Sequence, residues 1–208
     1  MSASESSLGS IEVLPLFPLK SVLLPGGRMP LRIFERRYLD LVRDSLREGH
    51  DFGVVWIRRG EEVASRGQAC PELGDWGTSA RIVDWYSLDN GLLGITIEGC
   101  QRFSLLRREM AVSQLMTGRV RLDAVPPPLA VTEQCQPLLN VLRSLTVHPH
   151  IEQLQLQIDD NNAWQVVYSL IQLLPLEESL KYALLGLDDL ATVVRSLNDT
   201  LSRISGEG

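Results

Sequence analysis

Apolar positions along this chain follow two rhythms, and the change between them falls at Val125-Pro126-Pro127-Pro128. Before that tract, short β-branched or alternating runs are punctuated by Gly, Pro, Asn and Asp, the texture of strands joined by turns. The runs predict strands near residues 11–16, 29–34, 52–58, 78–86, 92–98, 102–107 and 116–123. Asp89-Asn90-Gly91 lies between two of them. Asn and Gly tolerate the positive φ of tight hairpin turns, so a hairpin is expected there. One helix interrupts the strands, over residues 35–48, with Tyr38 or Leu39, Val42 and Leu46 on one face and Gly49 as its stop. Arg37/Asp40, Asp40/Arg43 and Asp44/Arg47 stand three apart on the other faces. Exposed pairs of this kind contribute only about 0.2–0.5 kcal/mol each, which predicts a solvated face and not a binding site.

After the proline tract, apolar residues recur every three or four positions, the period of helices. A first helix is expected over 132–145, ended near His148-Pro149-His150. A second follows the N-cap oxygens of Asp159-Asp160-Asn161 and carries Trp164, Val167, Tyr168, Ile171 and Leu174 up to Pro175. A shorter one carries Leu180 and Leu184. After Gly186, a last helix sets Leu187, Leu190, Val194, Leu197, Leu201 and Ile204 in one stripe. The stripe covers little more than two heptads, which predicts packing onto the domain in preference to a coiled-coil dimer. Prolines fit neither a strand ladder nor a helix interior, so the tract marks a boundary between a mostly β unit, 1–125, and a helical unit, 126–208.

Composition supports folding without staples: 44% of 208 residues are apolar, enough for one large or two joined units. Cys70, Cys100 and Cys135 are odd in number, far apart, and lack both a C-x-x-C pair and a His at zinc-ligand spacing. Reduced thiols are expected, with no metal and no cofactor. The first ten residues are polar and acidic, and no apolar run approaches the roughly 20 residues of a membrane span, so a cytoplasmic location is expected. The net charge of −6 is uneven: residues 1–128 carry 16 Lys/Arg and 16 Asp/Glu, residues 129–208 carry 4 and 10. Binding a phosphate backbone needs clustered cations, so the acidic second part argues against nucleic acid as its partner.

Candidate chemistry is sparse. His148 and His150 flank Pro149 with no carboxylate or thiol at a convincing metal spacing, and His50 follows a helix stop. Glu61/Glu62, Glu177/Glu178 and Asp188/Asp189 are adjacent pairs whose side chains diverge on a helix or strand. No G-x-S-x-G elbow and no G-x-x-x-x-G-K-[ST] loop occurs. A hydrolase would need His148, His150 or an acid to meet a nucleophile that the spacing does not reveal. Aromatic residues offer more. Trp76 lies in Pro71–Gly77, which reads as a loop, and Trp85 and Tyr86 point to opposite faces of a strand, one of them into the core. Trp76 and the outward member of the Trp85/Tyr86 pair are candidates for a protein-contact surface, because exposed aromatics bury large area at small entropic cost.

Leu14-Pro15-Leu16-Phe17-Pro18-Leu19, then Val22 to Tyr38 with its Pro25-Gly26-Gly27 and Ile33-Phe34-Glu35-Arg36-Arg37-Tyr38, resembles the start of the amino-terminal substrate-binding domain of Lon-type ATP-dependent proteases. Gly77-Thr78-Ser79-Ala80-Arg81-Ile82, Leu88 to Leu93 and Glu98-Gly99-Cys100-Gln101-Arg102-Phe103 are similar to the family's second signature. Leu173-Leu174-Pro175-Leu176 and residues 181–187 are similar to its closing helices. The resemblance implies an α+β fold: a PUA-like β pseudo-barrel with one inserted helix, followed by a C-terminal helical bundle. It also implies a non-catalytic module, without the ATPase or peptidase, that binds unfolded or extended protein segments and works with a separate protease or chaperone. RNA binding is the alternative, because other PUA-like barrels bind RNA and Arg28, Arg32, Arg36, Arg37, Arg107, Arg108, Arg119 and Arg121 supply cations.

Overall fold

The computed structural model describes residues 9–62, 70–89, 91–204 and 206. The chain separates into two units, Met1–Val125 and Pro126–Gly208. In the first, β1 (Ile11–Leu19), β2 (Arg28–Ile33), α1 (Arg36–Glu48), β3 (Phe52–Arg59), β4 (Glu72–Ser87), β5 (Leu93–Met110) and β6 (Met116–Leu122) follow in chain order. The strands form one mixed sheet in the order β2-β5-β4-β3-β1-β6, and β6 pairs back onto β5. This return pairing curls the sheet into a pseudo-barrel, with β2 left as a flap on β5; the sheet is not closed from edge strand to edge strand. β1 and β3 are parallel, so the chain between them has to cross over, and that crossover contains β2 and α1.

The two longest strands depart from the expected boundaries. Residues 92–98 and 102–107 read as separate strands, yet β5 runs unbroken through Gly99. Glycine is required there by close approach: a Cβ on Gly99 would lie 2.2 Å from the Leu24 carbonyl oxygen. β4 starts at Glu72, so Trp76 is in a strand, paired with Ser104 and half-buried, and not in a loop. The hairpin between β4 and β5 is present. Gly91, at φ 76°, donates to Leu88 O at 2.8 Å; Asn90 lies outside the described residues.

Two clusters make up the core of this unit. Leu16, Val55, Phe103 and Val120 fill the inside of the curl, while Phe17, Tyr38, Val42, Phe52 and Ile97 join α1 to the sheet. The buried face of α1 is Tyr38, Leu41, Val42 and Ser45. Leu46, expected on that face, is exposed, because the 3.6-residue period carries position 46 past the sheet. Arg43–Asp40 (2.9 Å) and Arg47–Asp44 (3.6 Å) form as expected, but Asp40 takes Arg36 in place of Arg37.

The second unit holds α2 (Gln136–Thr146), α3 (Pro149–Glu152), α4 (Ala163–Leu173), α5 (Glu178–Leu185) and α6 (Leu190–Ile204). Residues 132–135 form a turn before α2. His148-Pro149 opens the short α3, since proline suits a first helical position. α4 is buried nearly all round. Its cap is Asn162, whose side chain accepts from the Trp164 N–H at 3.2 Å, while Asp159 accepts from the Asn161 N–H and closes its own turn. In α6, Val193, Val194 and Leu197 are buried. Asp189 caps that helix, and the hydrogen bonds from the Thr192 hydroxyl and N–H hold its carboxyl below the usual range. No helix among the described residues is long and apolar enough to cross a membrane.

Candidate functional site

Where β2 turns into α1, the chain leaves an apolar pocket of about 170 Å³. One wall is Phe17, Pro18 and Leu19 at the end of β1; the other is residues 30–35, with Tyr38 and Glu62 completing it. The two walls come together because α1 packs its first turn against the end of β1. The Tyr38 ring stacks on Phe17 with centroids 4.0 Å apart and planes 11° apart, a contact of about 0.5–1.5 kcal/mol beyond area burial. Strand alternation then buries Ile33 and leaves Phe34 at the rim, 55% exposed.

Arg37 holds this corner together. Its guanidinium pairs with Glu35 (2.9 Å), donates to Gln114 O (3.2 Å) and Glu62 O (3.3 Å), and lies 4.5 Å from the Tyr38 ring centroid. One side chain thus joins the helix start, the loop after β3 and the β5–β6 turn. Lysine keeps the charge but not the planar fork, so Arg37→Lys is expected to cost about 1–3 kcal/mol. The urea midpoint read by tryptophan fluorescence measures it. Burial pushes the Tyr38 phenol up to about 12, with Arg37 opposing and Glu35 and Glu62 adding to the rise, so the pocket carries a neutral hydroxyl. No described residue hydrogen-bonds to that hydroxyl.

The aromatic candidates are placed differently from expectation. Trp85 and Tyr86 are both exposed, at 64% and 37%, so neither belongs to the core. Alternation does send them to opposite faces: Trp85 is in register with Ile95 and Tyr86 with Gly94. At this end, however, β4 outruns the buried interior. Tyr86 lies over Gly94, where a Cβ would come within 2.3 Å of the ring. Trp85 shares its face with Ile95, which pairs in turn with Leu31 of the pocket; two strand spacings, about 10 Å, separate them. Sequence reasoning missed Phe17, Phe34, Tyr38 and Glu62 as a group. Their signal was the Ile33-Phe34-Glu35-Arg36-Arg37-Tyr38 run, which puts an unburied aromatic immediately before a helix.

Most of the arginines are engaged. Arg28 pairs with Glu98, Arg36 with Asp40, Arg37 with Glu35 and Arg107 with Glu109, and Arg108 donates to Pro71 O. Arg119 and Arg121 remain on the outer face of β6, with Arg107 directly across from Arg119. The His148 and His150 rings are 5.5 Å apart, and no cluster of three His, Cys, Asp or Glu among the described residues could hold a metal. Burial raises the Cys100 thiol to about 11 and also raises that of Cys135, which keeps both protonated and unreactive at neutral pH.

A curled mixed sheet with a helix in its crossover, an apolar pocket beside that helix and a separate helical unit define an α+β module of the PUA-like kind. The family model of the ATP-dependent protease La (LON) substrate-binding domain matches residues 13–203, and the chain belongs to that family. The crystal structure of a Lon N-terminal domain protein from Xanthomonas campestris is similar at TM-score 0.73 and 33% identity, covering 91% of this chain and 98% of that one. The N-terminal domain of the Mycobacterium avium complex Lon protease shares the fold at TM-score 0.60 and 16% identity, covering 90% and 97%. Lon protease 2 of Myxococcus xanthus is 32% identical over 115 residues, 55% of this chain and 13% of that protease. The Lon protease of Anaeromyxobacter dehalogenans is 34% identical over 114 residues, 54% and 13%. The matched stretch is thus a small part of each protease.

Proposed function

We propose that this chain is a non-catalytic module that binds exposed apolar or extended segments of other proteins, acting in the cytoplasm with a separate protease or chaperone. The observation that carries this reading is the pocket beside the family's own signature, with Phe34 exposed at its rim. Trp85 and Tyr86, exposed at the end of β4, and half-buried Trp76 are the secondary contact candidates. An aromatic ring at a rim gains by being covered, and such anchors carry most of the affinity at protein interfaces. Phe34→Ser is therefore expected to weaken binding of fluorescein-labelled, carboxymethylated α-lactalbumin, a permanently unfolded chain, by about tenfold. The urea midpoint should stay unchanged, since the ring is not part of the core. Equal anisotropy titrations for the two proteins would remove the pocket from this role.

RNA binding is the weaker reading. It draws on Arg119, Arg121 and the facing Arg107 on one sheet surface, and Arg107 is already paired with Glu109. Salt-sensitive retardation of a single-stranded RNA, lost in Arg119→Ala/Arg121→Ala, would favour it.

A further inference from the structure

Among the described residues, β2 is the one strand with a neighbour on a single side along its whole length. The other five strands each have at least two neighbours, whereas β2 pairs among the described residues with β5 alone. The turn before β2 shows which of its backbone groups face outward. Gly26, at φ 75°, donates its N–H to Gly99 O (2.8 Å), and Gly99 donates back to Gly27 O (2.9 Å). This is a bulge with glycine in the left-handed position, and it makes Gly27 and Gly99 a hydrogen-bonded pair. Antiparallel partners alternate between bonded and non-bonded pairs. With Arg28 opposite Glu98 and Ile33 opposite Leu93, Met29, Leu31 and Ile33 direct their backbone groups to β5, and Arg28, Pro30 and Arg32 direct theirs away. Pro30, which has no N–H to give, sits where the ladder needs none. Pro30 and Arg32 are exposed, and the Pro30 C=O and the N–H and C=O of Arg32 have no partner among the described residues.

The pocket lies along this same open edge, since residues 30–35 form one of its walls. Across from it, β6 accompanies β1 only as far as Leu16. Beyond that point the Lys20 N–H is capped by the Glu62 carboxylate at 2.5 Å, a side chain standing where a strand carbonyl would be. An open strand edge beside an apolar slot is complementary to a polypeptide backbone, whose amides repeat at the strand spacing and whose alternate side chains fall on one face.

We propose that β2 accepts an extended segment of a bound protein as an added strand, hydrogen-bonded to Arg32 and to the Pro30 carbonyl, with an apolar side chain of the segment seated between Phe17, Tyr38 and Phe34. The proposal rests on the protein-binding reading above and adds its mode. Arg32→Pro removes the outward N–H at an exposed edge position, and Arg32→Ala removes only the side chain. In titrations of the full chain with carboxymethylated α-lactalbumin, Arg32→Pro is expected to bind roughly tenfold more weakly than Arg32→Ala, at matched thermal midpoints. Equal affinities for the two variants would overturn strand addition and leave the protein-binding reading standing. If the wild-type protein does not bind this chain at all, both fail. Should Arg32→Pro not fold, amide hydrogen exchange of wild-type Arg32 decides: slowing on binding supports the added strand, and an unchanged rate refutes it.

Discussion

Phe103→Ala is expected to cost the β unit about 3–5 kcal/mol, the usual range for emptying a fully buried aromatic site. Phe103 is 0% exposed and occupies a space that two glycines keep clear. A Cβ on Gly53 would lie 2.8 Å from Leu16 and 2.9 Å from Phe103; one on Gly77 would lie 2.3 Å from the Val54 carbonyl oxygen and 2.8 Å from Phe103. Neighbours can shift around the first, because they are side-chain ends, but the second meets backbone. Gly53→Ala should therefore cost about 1–3 kcal/mol and be partly relieved by Phe103→Leu, with Gly77→Ala costing more and gaining little relief. Urea unfolding of the four single variants and the two glycine/Phe103→Leu doubles, followed by circular dichroism and tryptophan fluorescence, gives these values. A cost below about 1 kcal/mol for Phe103→Ala would mean that the interior collapses around the vacancy and that the ring does not organise it.

Glu98→Gln should remove about 2–3 kcal/mol at neutral pH by cutting one carboxylate out of three strands. Glu98 faces Arg28 of β2 on one side and Arg81 of β4 on the other. It holds them at 2.8 and 2.5 Å while remaining only 12% exposed. The Arg28 pair carries most of the effect, since that guanidinium is 14% exposed and Arg81 is 61% exposed and screened by water. Burial by itself would raise the Glu98 carboxyl, but hydrogen bonds from Arg81 and Arg28 outweigh it and hold the group below its ordinary value. A carboxyl depressed in the folded state contributes stability above its unfolded value and loses it as the pH falls through the folded one. The wild-type advantage over Glu98→Gln should thus be full at pH 7 and shrink as the pH is lowered from about 5 to about 3. An advantage that stays constant over that range would assign the effect to shape and not to charge.

Local signals in the chain were good guides wherever a neighbour in sequence supplies the physics. The stop at Gly49, the turn at Gly91 and the helically spaced apolar run from Trp164 to Ile171 all depend on φ, hydrogen bonds or periodicity within a few residues. Gly99 shows the limit of such signals. It reads as a breaker between two strands, and what decides its place is the carbonyl of Leu24, some seventy-five residues away in sequence. Trp85 and Tyr86 show another. Alternation assigns their faces correctly, but burial depends on how far the interior extends beneath β4, and no property of the strand itself contains that length.

By itself the sequence determined the kinds of element, their approximate order, the change of texture at the proline tract and the family, because these are written in residue type and short-range spacing. The tertiary structure alone decided the pocket and the open edge of β2. Both arise from pairings between distant segments: β1 beside β3 in parallel, β6 returning to β5, Tyr38 stacked on Phe17. Such pairings are selected by the joint burial of many side chains, a quantity that belongs to the assembled sheet and to no single stretch of the chain.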